Sequence, residues 1–440
     1  MGKSIKSKPQ ENNCGEEKEY DFAFNEVKGA RDNQEDALVW QSFDHSVLNE
    51  LSPEEIGKRL WTTYQILDEK WLEVGKRKTR TGTTASTTII KGEHLITATL
   101  ADTVSFAIIY GKNGNVLGLK RLNERTHYPS LPTEKKRIKR AGGRISEKGR
   151  IVGLTVTLAV SRAIGDGCLK HVVSPDADID INSITHIAEE LGISSKNTYK
   201  VQIITTCDGF TEPVEEAKSE KTAEEVYLRK CLNKLNQGKP GLCSEMDIAQ
   251  HLTRYALTKD SGDNISVAVQ TIKKNGAEAH IYGMLGVYDG HGGNDAAHFV
   301  VDHICETFSA QCSLSQDDYK AQIHSVYQKR DRYYADNSDQ SPSNSHFLLQ
   351  LMAHPLLSKI AVTVIISAGL ASLLTKDQQV DTIIASLLAL ASLTLLVTKV
   401  VCASNNPQGL FGRFLSKIQA PDKAEEDETN SDSESDYLAF

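Results

Sequence analysis

Between Ser52 and Val74 the apolar residues Ile56, Leu60, Tyr64, Leu67 and Trp71 recur every three or four positions, which places them on one face of a helix. Ser52 ahead of Pro53 and Glu55 supplies the start: a serine hydroxyl can accept an N–H of the first turn, and proline suits the first helical position, whose N–H has no intrahelical partner. A core-facing helix is therefore predicted. Up to about residue 311 the remaining apolar positions fall in short β-branched runs: Asp36 to Trp40, Thr83 to Ile90, Leu95 to Thr99, Val104 to Tyr110, Tyr199 to Thr206 and Ile265 to Gln270. Frequent alternation and β-branching predict strands in antiparallel sheets, so residues 20–311 read as an α+β globular part.

The flanks differ. Residues 1–19 are polar and read as a disordered leader without the apolar run of a secretory signal; Gly2 is a weak myristoylation candidate, because Lys6 stands where that motif needs Ser or Thr. Residues 312–354 read as a helix and then a linker rich in Asn, Ser, Asp and Pro. Beyond it lie two apolar runs, Pro355 to Leu374 and Val380 to Ala403, each close to the ~20 residues that span a bilayer core of ~30 Å. Ser367, Gly369, Ala371, Ala385 and Ala389 would let the two pack closely, so residues 355–403 are predicted to form a two-helix membrane hairpin. Such a hairpin returns to its own side, which would leave the globular part and the tail in one compartment. The tail, residues 404–440, becomes acidic from Lys423 onward and reads as solvated and disordered.

Composition removes some functions. A net charge of −8 argues against nucleic acid as a partner, since a phosphate backbone demands a field of Lys and Arg. The eight cysteines form no C-x-x-C pair, which gives no sign of a zinc knuckle or dithiol site and suits a reducing compartment. The sequence assigns no oligomeric state.

The chemistry lies in acidic residues at strand ends. Glu35 and Asp36 follow Arg31 by four and five positions, just before a strand. Asp289 precedes Gly290, His291, Gly292 and Gly293 at another strand end, and Asp208 and Asp263 end or begin two more. Mg²⁺ and Mn²⁺ prefer oxygen ligands in octahedral sets, and carboxylates on strand tips supply them with little conformational freedom. Six strings then make a specific resemblance: RDNQEDA at 31–37, TGTTA at 81–85, AVSRAIGD at 159–166, CDGF at 207–210, DNISV at 263–267 and DGHGG at 289–293. Together they resemble the PPM, or type 2C, metal-dependent serine/threonine protein phosphatases over roughly residues 20–310.

That resemblance implies a β-sandwich of two mainly antiparallel sheets flanked by helices, with two Mn²⁺ or Mg²⁺ ions at one end. Asp289 would bridge both ions, Asp208 and Asp263 would complete the first site, Glu35 and the Gly290 carbonyl would hold the second, and Asp36 would support the centre through water. Arg31 would clamp phosphate, and His291 would donate a proton to the leaving serine or threonine oxygen. Asp102 falls where the family has Gly-Asp-Ser-Arg and contributes to a third metal position; with Val104 in place of the arginine, only the aspartate is kept. Glu212 replaces an aspartate of the family string. Arg162 and Asp166 are expected to be structural, outside the site. Phosphorylated proteins are the implied substrates.

One feature departs from the family. There the DGHGG strand and its helix lie between the Glu-Asp strand and the Gly-Thr-Thr-Ala strand, whereas here they come last. The connection from Thr271 to Gly283 can reach ~40 Å at ~3.3 Å per residue, far enough for the strand to slot into its usual place. If it docks there, the ligands converge and an active enzyme is expected. If it docks elsewhere, the chain is a catalytically inactive phosphatase-fold module that sequesters phosphoproteins at a membrane. The hairpin and acidic tail are also similar to bacterial effectors injected through type IV secretion systems; the competing setting is a eukaryotic membrane-anchored phosphatase.

Overall fold

In this computed structural model, residues 4–338 are described apart from 9–11, 18–20, 75–78, 154–155, 216–220, 239–242, 275–276 and 279–281. Among them, two antiparallel sheets lie between two layers of helices. The first sheet has the strand order Ser4–Lys6, Ala37–Ser42, Tyr282–Tyr288, Ala85–Lys91, His94–Leu100, Asp178–Ser183. The second runs Asn12–Glu17, Phe22–Val27, Ile265–Lys274, Lys200–Thr206, Val104–Tyr110, Val116–Arg121, with Ala277–Glu278 paired to the long third strand.

Side-chain alternation sorts three cores. Leu38, Trp40, Leu285 and Val287 face the second sheet, meeting Phe22, Ile109, Ile203 and Ala268 to form the filling of the sandwich. Their strand neighbours Ala37, Val39, Met284 and Tyr288 point outward, where Ile56, Leu60, Tyr64 and Leu67 of the Pro53–Val74 helix cover them together with Val300, Ile304 and Phe308 of the Asp295–Cys312 helix. The opposite face of the second sheet packs on Leu228, Ile248 and Leu252. Each fully buried Leu or Ile contributes roughly 1.5–3 kcal/mol, so the apolar stripe read from the sequence is what seats the long helix. Its predicted cap is present in both directions: Ser52 Oγ accepts the Glu55 N–H at 3.2 Å and Glu55 Oε2 accepts the Ser52 N–H at 2.8 Å.

The strand that arrives last in the sequence is central in the first sheet. Tyr282–Tyr288 pairs on one side with Ala37–Ser42 (Tyr288 opposite Ala37) and on the other with Ala85–Lys91 (Val287 opposite Ser86). Polar groups lock it in place: Thr87 Oγ1 meets the Tyr64 hydroxyl at 2.7 Å and the Tyr288 hydroxyl at 2.8 Å, a chain from the long helix through the sheet. Gly286 makes room, since a Cβ there would lie 2.4 Å from the Tyr288 hydroxyl. Arg59, 1% exposed, holds the end of the following helix by donating to the Gln311 carbonyl at 2.9 Å, with its guanidinium 3.6 Å above the Tyr319 ring.

Two sequence expectations change. Part of the leader is ordered: Ser4–Lys6 and Asn12–Glu17 add one edge strand to each sheet, because an exposed sheet edge pairs a backbone whatever its side-chain polarity. The strands Phe22–Val27, Val116–Arg121 and Asp178–Ser183 were not predicted, their apolar positions being sparse or interrupted by charge. No helix among the described residues is long and apolar enough to cross a membrane; the runs at 355–374 and 380–403, and the acidic tail, lie outside the described residues. The helix predicted in 312–354 is present as Gln316–Ser338.

Candidate metal centre

Antiparallel pairing brings strand starts beside strand ends. Asp36 precedes Ala37–Ser42 and Asp289 follows its partner Tyr282–Tyr288; in the facing sheet Asp208 follows Lys200–Thr206, while Asp263 and Asp102 precede the two strands paired with it. All five carboxylates therefore collect at one end of the sandwich. The two sheets are stitched there by Ser266 Oγ, which donates to Asp36 Oδ2 at 2.7 Å, and by the hydroxyls of Ser86, Ser105 and Thr205 at 2.9 and 2.8 Å.

Backbone contact makes the assembly tight. A Cβ on Gly290 would lie 2.2 Å from the Glu35 carbonyl oxygen, and one on Gly209 would lie 1.9 Å from that of Asn264, so only glycine allows these loops to touch. The glycine-rich turn thus packs directly on the Glu35–Asp36 segment. Its aspartate is fixed by the main chain: the Asp289 carbonyl accepts the Thr84 N–H at 2.9 Å and the Thr83 hydroxyl at 3.0 Å.

The electrostatics are those of crowded negative charge. The Asp289 carboxyl is pushed well above its ordinary range by lost hydration and by the neighbouring Asp208, Asp36 and Asp102. Burial raises Asp36 to about 7, with hydrogen bonds from Ser266 and Cys207 opposing the rise and Asp208 and Asp263 adding to it. Asp263 is raised by burial, and Arg31, ion-paired with its Oδ2, works against the rise. Arg31 is 53% exposed at the rim.

Such a cluster is costly unless cations neutralise it, and its donors are hard oxygens suited to Mg²⁺ or Mn²⁺. Ligand atoms of Asp36, Cys207 and Asp289 lie within 4.8 Å of one another. Cys207 nevertheless fits poorly as a ligand: it is fully buried, its thiol is driven well above its usual range by burial and by Asp36 and Asp289, and Sγ already donates to the Asn264 carbonyl at 3.3 Å and accepts the Ser266 N–H at 3.1 Å. It serves as packing between the sheets. The aspartates, with Glu35 half-buried beside Gly290, are the set that fits divalent ions.

Sequence reasoning missed two members. Asn264 binds the whole Arg31 loop, accepting the Glu35 N–H at 2.8 Å and donating to the Lys28 and Asn33 carbonyls at 2.8 and 2.9 Å; its place next to Asp263 was the available signal. Asp166, expected to stand outside the site, is 2.7 Å from His291 Nε2. Burial disfavours a charged His291, yet Asp166, helped by Glu35, raises its pKa overall. Arg162 is structural, as expected, and salt-bridges Glu134 at 2.7 Å and Asp178 at 2.8 Å. Glu212 holds the Asp263 loop by accepting from Ser261 Oγ at 2.9 Å and the Gly262 N–H at 3.0 Å.

Comparison with known proteins places this geometry. Residues 42–265 match the family model for protein phosphatase 2C. A probable protein phosphatase 2C of rice is 33% identical over 38% of this chain and 57% of its own length, and protein phosphatase 1F of mouse is 30% identical over 48% of this chain and 40% of its own. The chain thus spans about half the length of the curated relatives it matches. A phosphatase crystal structure from Toxoplasma gondii aligns with 64% of this chain and 99% of its own, at 18% identity and a TM-score of 0.42. With the family model matching half of its residues, Asp102, Asp208 and Asp263 among them, the chain belongs to the protein phosphatase 2C family.

Proposed function

We propose that this chain hydrolyses phosphoserine and phosphothreonine in proteins at a centre of two Mn²⁺ or Mg²⁺ ions. The observation that carries this reading is the meeting of Asp36, Asp208, Asp263 and Asp289 at one end of the sandwich, with Gly290 against Glu35. Asp289, Asp208, Asp263, Glu35 and the Gly290 carbonyl would hold the ions, with Asp36 behind them and Asp102 serving a third. When bound, paired ions lower the pKa of water and stabilise charge on the transferring phosphoryl oxygens. Arg31, exposed at the rim, would exchange Asp263 for the phosphate oxygens of the substrate. His291 would protonate the departing oxygen.

The placement of Tyr282–Tyr288 supports activity over an inactive binding module. We infer that this strand has moved along the sequence relative to the relatives: the family match opens at 42 and stops at 265, leaving out both Glu35–Asp36 and the glycine-rich turn. The test is hydrolysis of a phosphothreonine peptide by the full chain. Mn²⁺ or Mg²⁺ should give turnover and a chelator should abolish it; no turnover with either ion sinks the reading.

Membrane attachment through residues 355–403 is part of the same proposal, supported by the length and apolarity of the two runs. In vesicle flotation the full chain should rise with lipid and a chain ending at residue 338 should stay at the bottom; equal behaviour of the two argues against an anchor. The catalytic part would then face a reducing compartment, including that of a host cell if the chain is an injected effector.

A further inference from the structure

We propose that Asp166 is the positioning residue for His291, holding the imidazole so that Nδ1 is the nitrogen that protonates the leaving oxygen. This deepens the phosphatase reading and rests on it. A three-stranded patch beside the metal centre carries the argument: Gly82–Thr83 pairs on one side with Ile164–Gly165 and on the other with Gly290–His291. Gly165 and His291 both stand opposite Gly82. Because residue 82 has no side chain, Asp166 reaches across to His291, and Oδ2 comes within 2.7 Å of Nε2. A Cβ on Gly82 would sit 2.3 Å from Asp166 Oδ2 and 2.6 Å from His291 Nε2, occupying the space where the two meet.

The surroundings hold Asp166 to this one task. It is 2% exposed and adopts a left-handed backbone (φ 53°), which aspartate tolerates better than most residues, and its N–H donates to the Thr81 carbonyl at 2.9 Å. Lys170, 2% exposed, secures the preceding residue by donating to the Gly165 carbonyl at 3.0 Å, and Asp68 accepts the Gly165 N–H at 2.8 Å. With Nε2 engaged, Nδ1 is left for the substrate. In the step, water forms the new bond to phosphorus and gives up its proton to solvent. The bond from phosphorus to the serine or threonine oxygen breaks, that oxygen keeps the electron pair and takes the Nδ1 proton, and solvent reprotonates the ring.

The test separates leaving groups. Asp166→Asn, nearly isosteric, should slow kcat on a phosphothreonine peptide by about 10- to 100-fold, up to the lower end of the about 10²- to 10⁴-fold that a positioned acid contributes in full. On p-nitrophenyl phosphate, whose leaving group departs without a proton, the loss should stay below about 3-fold. His291→Gln should show the same split, and the double variant should be no slower than His291→Gln alone. Equal losses on both substrates, or losses that add in the double variant, overturn the inference while leaving the phosphatase reading intact. Absence of metal-dependent turnover by the unaltered chain overturns that reading and this inference with it. Should Asp166→Asn fail to fold, Gly82→Ala, which wedges the same pair apart, is held to the same split.

Discussion

Asp289→Asn is expected to reduce metal-dependent phosphatase activity by at least about 10³-fold, the effect of losing several kcal/mol of charge stabilisation at the reacting centre. The side chain sits where the two sheets meet, among Asp208, Asp36 and Asp102, and burial together with their charges disfavours its ionised form. Removing that charge relieves repulsion, so the metal-free variant should unfold at the same temperature as the unaltered chain or a higher one. Adding Mn²⁺ separates the two proteins further: binding to the native state alone raises the midpoint, and only the unaltered chain should show the full rise. Activity measured on a phosphothreonine peptide and thermal unfolding with and without Mn²⁺ check both halves. Retained activity means that Asp289 bridges nothing.

A second large effect is expected away from the metal centre. Asp68→Ala should destabilise the fold by about 3–5 kcal/mol, because it leaves the Lys170 ammonium buried without its counter-charge. Lys170 Nζ lies 2.6 Å from Asp68 Oδ1, and both groups are under a tenth exposed. The same substitution takes the acceptor from the Gly165 N–H. Urea unfolding measures the loss, and Asp68→Leu combined with Lys170→Met should restore part of it: the apolar pair removes the stranded charge but not the lost bonds to the Gly165 N–H and to the Ala163 and Gly165 carbonyls. A cost under about 1 kcal/mol for Asp68→Ala would mean that water reaches the ammonium.

Much of the site was legible because its residues cluster into short strings. Glu35 with Asp36, the glycine-rich turn after Asp289, and the aspartates 208 and 263 each sit where a β-branched run begins or ends, and antiparallel pairing then carries them to one end. Asp102 was legible on the same grounds. Cys207 and Asn264 were not singled out, although each neighbours an aspartate that was; their importance lies in backbone groups they bind on segments more than 50 positions away. Asp166 was placed outside the site because its string suggests a turn, and a turn it is: the left-handed residue sits at the start of the short helix Gly167–Leu169. What the string could not convey is the bare Gly82 lying between it and His291.

The sequence by itself determined the family, the acidic residues and the long amphipathic helix, because motifs and periodicity are local properties that survive any rearrangement of order. It left open where the late strand would dock, since a long connection permits more than one destination. Tertiary structure decided that point: Tyr282–Tyr288 completes hydrogen bonds on both its edges between Ala37–Ser42 and Ala85–Lys91, and buries alternate side chains into two different cores. An edge position would satisfy only one of those ladders. Sheet closure, rather than chain order, therefore sets the neighbours of Asp289.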